Sequence, residues 1–235
     1  MALVKFGAGI VAMAGSIAGT VFARNRYGAY ARARTVPTNP KTDRQNDVRA
    51  AVAYLADRWA QTLTNAQRQA WNLYGNSVNM KNRLGETIHL SGYNHYIRSN
   101  TFRKAGGFAL VDAGPVVFEL PAQDPTLAIT ASEADQEITC TFDNTMDWAT
   151  EALAYIWFYQ GQPQNAQRNF FAGPWRYLHG VGGVDPEGAI SPKVAAVQFG
   201  IAELQRQWVY ARISRADGRL SEIFRADCFV AANGV

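Results

Sequence analysis

Arginines are the residues of this chain best placed to do chemistry. Arg24, Arg26, Arg32 and Arg34 share one parity with Tyr30. A continuous strand through them would present four guanidiniums and a tyrosine on one face, with Ala23, Asn25, Tyr27, Ala29, Ala31 and Ala33 on the other. Gly28 lies between them and is the position that could break that register. A guanidinium fork fits a carboxylate and a phosphate equally well, so the stripe predicts an acidic partner without choosing between protein and nucleic acid. Other reactive groups are sparse. His89 and His95 stand apart from His179, which falls in Pro174-Trp175-Arg176-Tyr177-Leu178-His179-Gly180 with no cysteine or carboxylate at metal-ligand spacing. No phosphate-cradling glycine motif, nucleophile elbow or paired carboxylates in an apolar run occur. The reading is therefore no catalytic residue, no metal, no cofactor and no enzymatic activity.

Cys140 and Cys228 invite a test as an inter-sheet disulfide, with Trp157 downstream of the first. In the immunoglobulin pattern the second cysteine belongs on the penultimate strand, whereas Cys228 falls on the last one. Two free, buried cysteines are expected.

Around these groups the chain reads as α+β in three parts. Residues 1–41 are expected to form an extended, glycine-rich, basic arm. The stretch from Leu3 to Phe22 carries only Lys5 as a charge, and Ala12-Met13-Ala14 imitates a cleavage site. Its glycines and alanines make a poor membrane anchor, so no membrane partner is expected. Glycines supply no side chains for an independent core, which points to burial on another surface. Pro37 and Pro40 end any strand.

Residues 42–107 read as a helical unit. Thr42-Asp43-Arg44-Gln45 and Thr64-Asn65-Ala66-Gln67 fit capping boxes. Val48, Val52, Leu55, Trp59 and Leu63 recur at helical spacing, and Gly75 is placed to end the second helix. Residues 84–90 suggest a turn and a short strand. A third helix, 91–104, carries Tyr93, Tyr96 and Ile97 on its apolar side and stops at Gly106-Gly107. Trp59 and Trp71 are expected to pack against each other as the structural core of this unit. As a helix-turn-helix it is weak, since only Arg68 with Gln67 or Gln69 could meet base edges.

Residues 115–235 read as an antiparallel β-sandwich, with strands at 127–130, 137–142, 155–159, 207–213 and 221–225, and with Asp217-Gly218 turning between the last two. The segment 160–196 reads as a long loop. Trp208-Val-Tyr-Ala-Arg-Ile-Ser-Arg-Ala-Asp-Gly-Arg-Leu-Ser221 resembles the penultimate strand, turn and last strand of a fibronectin type III domain. That likeness implies an immunoglobulin- or fibronectin-like fold. Charge divides with the parts: residues 1–105 carry a formal +11 and residues 106–235 a formal −7. With 28 aromatic residues and only 18% charged ones, such a chain hides surface against partners.

The run Gly15-Ser16-Ile17-Ala18-Gly19, Arg24-Asn25-Arg26-Tyr27-Gly28, Arg32, Pro37, Asn39-Pro40, Thr42, Gln45 and Arg49, extended by Trp59, Leu63-Thr64 and Trp71, resembles a family of uncharacterised proteins of tailed bacteriophages and prophages. The resemblance covers residues 15 to about 75 and carries over no site residues. It implies a phage context, with the protein assembled in the host cytoplasm and located in the virion. The function expected is that of a capsid decoration or cement protein, or a neck or tail accessory protein. Its partners would then be capsid, portal or tail subunits and copies of itself, gripped by Arg24, Arg26, Tyr30, Arg32 and Arg34. A nucleic-acid-binding protein and a secreted adhesion module are the alternatives.

Overall fold

A computed structural model describes residues 2–7, 9–184 and 188–232. The described residues up to Ala33 are not the extended arm expected from their glycines. Strands β1 (Ala2–Leu3), β2 (Gly15–Ile17), β3 (Thr20–Asn25) and β4 (Gly28–Ala33) form an antiparallel sheet in the order β1-β4-β3-β2. Two tight reversals account for it. Ala18 adopts a left-handed conformation (φ 50°) between β2 and β3, and Gly28 does so (φ 120°) after β3, where the Asn25 side chain accepts from the Tyr27 amide at 2.9 Å. Residues 34–42 then run without regular structure through Pro37 and Pro40.

Helix α1 (Asp43–Asp57) begins at Thr42, whose hydroxyl accepts from the Gln45 amide, and widens into a π-turn over Arg58–Thr62. Helix α2 (Asn65–Ser77) opens on a complete Thr64/Gln67 capping box. A small hairpin of β5 (Met80–Lys81) and β6 (Thr87–Ile88) leads to α3 (Gly92–Gly106), capped by Ser91 and ended by left-handed Gly107. Gly75 does not end α2 as expected. It is buried where α2 meets α3, and a Cβ there would lie 2.6 Å from the Leu90 carbonyl oxygen. The apolar stripe on α1 is also shorter than its spacing predicts. Leu55 and Leu63 are buried, whereas Val48 and Val52 are exposed, because the first turns of α1 reach past the packed part of the unit.

The remainder forms two antiparallel sheets. Strands β7 (Ala128–Ser132) and β8 (Glu137–Thr141) join β11 (Lys193–Ala196) in the order β11-β8-β7. Strands β9 (Tyr155–Gly161), β10 (Trp175–Gly182), β12 (Arg206–Ser214) and β13 (Phe224–Phe229) form the other, in the order β10-β9-β12-β13. Ile129, Ile138 and Cys140 from the first sheet and Ile156, Phe158, Val209, Ala211 and Ile213 from the second share one buried core with Trp148. The segment 160–196 is not one loop, since it contains β10 and β11. A bulge between Tyr177 and His179 breaks the alternation of β10, and β11 is only four residues long. The last strand starts at Phe224 rather than Ser221, because residues 215–223 close a wider loop through Gly218, with Arg215 donating its amide to the Arg219 carbonyl at 2.9 Å.

The helical unit and the two-sheet body are joined by two arginines of α3, Arg103 buried and Arg98 half-buried. Arg103, almost fully enclosed, donates to the carbonyls of Leu153 (2.9 Å), Arg215 (2.8 Å) and Ala109 (3.4 Å). One turn earlier, Arg98 donates to the carbonyls of Leu220 and Ser221, each at 2.7 Å. Phe102 and Phe108 pack on Tyr155, Trp157 and Tyr159, the outward-facing rings of β9.

Candidate interaction site

Pairing in the β3–β4 hairpin sets Arg24 opposite Ala29, Val21 opposite Arg32 and Ala23 opposite Tyr30. Directly opposed residues of an antiparallel pair share a face. The expected single stripe is therefore divided. Arg24 lies on one face with Phe22 and Ala31, while Tyr30 and Arg32 lie on the other with Val21 and Ala23. Arg26 sits in the turn, and Arg34 follows the end of β4. The reversal ending at Gly28 exchanges the parities, which a continuous strand would have kept. All four arginines are nonetheless exposed, and none forms an ion pair with another described residue. Tyr30 is half-buried.

Polar contacts tie this sheet to the helical unit. Lys5 pairs with Glu86, and the Asn94 side-chain amide donates to the Tyr27 hydroxyl at 3.3 Å. A cleft of about 400 Å³ separates Leu3, Asn25 and Tyr27 from Lys81 and Ile88. Among the described residues, Leu55 is the first in the chain to be fully buried. A sheet without a core is marginal by itself. In the isolated protein, amide exchange across residues 2–33 is expected to be at least a hundredfold faster than in β9 and β12, as an order-of-magnitude consequence of local opening. Hydrogen-exchange mass spectrometry measures this directly, and equal protection of the two regions would refute it.

Trp71 lies in the core of the helical unit and Trp59 packs against that core. Tyr96 stands between them, 5.4 Å from the Trp59 ring and 5.7 Å from the Trp71 ring. Trp71 is fully buried and its Nε1 donates to the Asp112 carbonyl at 3.0 Å, whereas Trp59 is half-buried against Tyr93. Asp112 also binds Arg58 through two hydrogen bonds, at 2.8 and 2.5 Å, which holds the Arg58 guanidinium firmly charged. Arg68 donates to the carbonyls of Trp59 and Ala60, closing the end of the π-turn. Arg68, the basic residue of the helix-turn-helix comparison, is thus engaged within the fold.

Sequence reasoning missed a buried polar pair beside this core. His95 is fully enclosed with neither ring nitrogen hydrogen-bonded, and its ring meets that of Tyr74 edge-on at 5.0 Å. Burial, reinforced by the nearby Arg98, lowers the His95 pKa to about 4, and burial raises Tyr74 to about 12. Cys140 and Cys228 are free. Cys140 is buried and Cys228 half-buried, and burial pushes their thiols up to about 12 and about 11. Trp157 faces outward and donates to the Ser214 hydroxyl at 3.0 Å, so it is Trp148 that fills the space between the sheets. Among the described residues no cluster of three or more His, Cys, Asp or Glu side chains could hold a metal. No described helix is long and apolar enough to cross a membrane.

Comparison with protein-family models and with curated proteins gives no match. Among solved structures, the chain is similar to a Fn3-like protein from Clostridium thermocellum at 10% sequence identity. The alignment covers 49% of this chain and 96% of that chain, with a TM-score of 0.29. Helices combined with antiparallel sheets place the chain in the α+β class.

Proposed function

We propose that this protein is a non-enzymatic structural component of a bacteriophage virion, a capsid decoration or cement protein or a neck or tail accessory protein. It grips neighbouring subunits through its N-terminal sheet. The observation that carries this reading is the display of Arg24, Arg26, Arg32 and Arg34, exposed and without ion pairs to other described residues, on a sheet in which no described residue is buried. An element of this kind gains order by covering another surface. The resemblance of residues 15–75 to phage proteins supplies the context. The sheet orders β10-β9-β12-β13 and β11-β8-β7 support a fibronectin type III-like assignment for the C-terminal body, a fold suited to a surface module.

The test replaces all four arginines by glutamine in a phage whose own copy of the gene is deleted. Incorporation into purified particles is expected to fall by about tenfold or more, since four charge-assisted contacts are lost together. Circular dichroism of the free variant should match that of the unmodified protein. Incorporation at the normal level would overturn the reading. Duplex-DNA affinity is measured alongside. A logarithmic salt slope of about 0.9 per phosphate for four contacts, lost in a variant that still enters particles, would favour nucleic-acid binding instead.

A further inference from the structure

The strands give the molecule a polarity. β8 runs from Glu137 to Thr141 and β12 from Arg206 to Ser214. The turn at 133–136 and the connection at 197–205 therefore lie at one end of the two-sheet body, and the loops 142–154 and 215–223 at the other. Arg98 and Arg103 grip the second end, through the carbonyls of Leu153, Arg215, Leu220 and Ser221. The helical unit that supplies them also carries the basic sheet.

The first end carries four carboxylates. The Glu203 amide donates to Glu133 Oε2 at 2.8 Å, the Ser132 hydroxyl donates to Asp135 Oδ2 at 2.7 Å, and Glu137 opens β8 beside them. Gln136 fastens the corner by donating to the carbonyls of Glu133 and Ile201. Glu133, Asp135, Glu137 and Glu203 form no ion pair with another described residue. At about 3.3 Å per residue, the nine residues of β12 set this corner some 30 Å from the gripped end.

We infer that the N-terminal sheet docks on the acidic corner of a second copy of this chain, head to tail. The inference rests on the proposed function and names the partner. Charge complementarity carries it. Residues 2–34 hold Lys5 and four arginines with no Asp or Glu, while the corner holds four carboxylates without ion pairs to other described residues, at the end of the two-sheet body away from the helical unit's grip. Single exposed pairs are weak, so the charges chiefly steer the encounter and fix its register. Ile17, 61% exposed, and the open edge of β2 add apolar contact and backbone pairing. The two surfaces differ, so the contact is heterologous and repeats into a ring or an open chain.

Sedimentation of the full chain tests the inference. The unmodified protein is expected to self-associate with rising concentration, about tenfold more weakly at high salt than at low salt. The variants R24E/R26E/R32E/R34E and E133K/D135K/E137K/E203K should each be monomeric, and mixing them should restore association because each supplies the charge the other lacks. A monomeric unmodified protein at every concentration, or association insensitive to both charge reversal and salt, overturns the inference. The salt series uses the unaltered chain and so stands even if a variant folds poorly. Particle incorporation separates the two readings. If the arginine variant is excluded while the carboxylate variant enters normally, the sheet grips another virion protein, and the self-docking inference falls while the proposed function stands. Normal entry of both variants defeats the proposed function itself.

Discussion

Replacing Trp71 by alanine is expected to destabilise the full chain by about 3–5 kcal/mol, the range for a fully buried tryptophan. Its ring is covered on several sides. Tyr74 and Tyr96 meet it edge-on at 5.9 and 5.7 Å, and Gly218 approaches so closely that a Cβ there would lie 3.0 Å from the indole Cη2. Removal also leaves the Asp112 carbonyl without its donor, the Nε1 at 3.0 Å. Trp59→Ala should cost less, about 1–2 kcal/mol, because its ring already keeps part of its surface in water. The measurement is urea unfolding of the whole chain, since Asp112 and Gly218 both lie outside residues 42–107. A loss below about 1 kcal/mol for Trp71→Ala would contradict the packing described, on the same cavity argument.

Acidification is expected to have an effect of similar size, through His95. The groups facing it are Tyr74, which is neutral, and Arg98, which is positive. Burial and the neighbouring Arg98 charge both disfavour its protonated form, so its folded-state pKa of about 4 lies below the ordinary 6.5. The unfolded chain therefore binds a proton that the folded chain refuses. Stability is full above pH 6.5 and declines as pH falls toward 4, by roughly 3 kcal/mol in total. Half-buried His179, whose pKa is also lowered by burial and by Lys193, adds to the same slope. In a His95→Phe variant most of the decline should vanish between these limits. Urea midpoints measured across that range decide the matter, and an undiminished slope in the variant would assign the acid sensitivity elsewhere.

The parts of the fold legible in the sequence are those determined locally. The hydroxyls of Thr42, Thr64 and Ser91 accept amides three residues on, and Gly107 takes the left-handed conformation that stops α3. The alternation of β8, β9 and β12 likewise shows in their residues. What failed depends on reversal or on distance. Four arginines of one parity imply one face only while the chain runs straight, and the turn at Arg26-Tyr27 ends that. Tyr96 could not be ranked above its neighbours, because its place between two tryptophans is made by the crossing of α2 and α3 at Gly75 and Gly92. Arg98 and Arg103 gave no signal at all. Their acceptors are backbone carbonyls as far as 123 positions away, and a carbonyl has no sequence signature. The acidic corner was hidden for the same reason, since Glu203 meets Glu133 only after the two sheets have closed.

The double grip of α3 on the 215–221 loop also determines how the molecule bears tension. A pull on the N-terminal sheet passes through the helical unit and reaches the two-sheet body where Arg98 and Arg103 hold it. If the opposing pull acts at the carboxylate corner, the load travels lengthwise along β12 and is shared with β9 and β13 on either side. The backbone hydrogen bonds of that sheet are then sheared together instead of being peeled one by one. The element expected to yield first under such a load is the N-terminal sheet, which encloses no buried residue and meets the helical unit through contacts such as Lys5–Glu86 and Asn94–Tyr27. It acts as a mechanical fuse ahead of a body that resists extension.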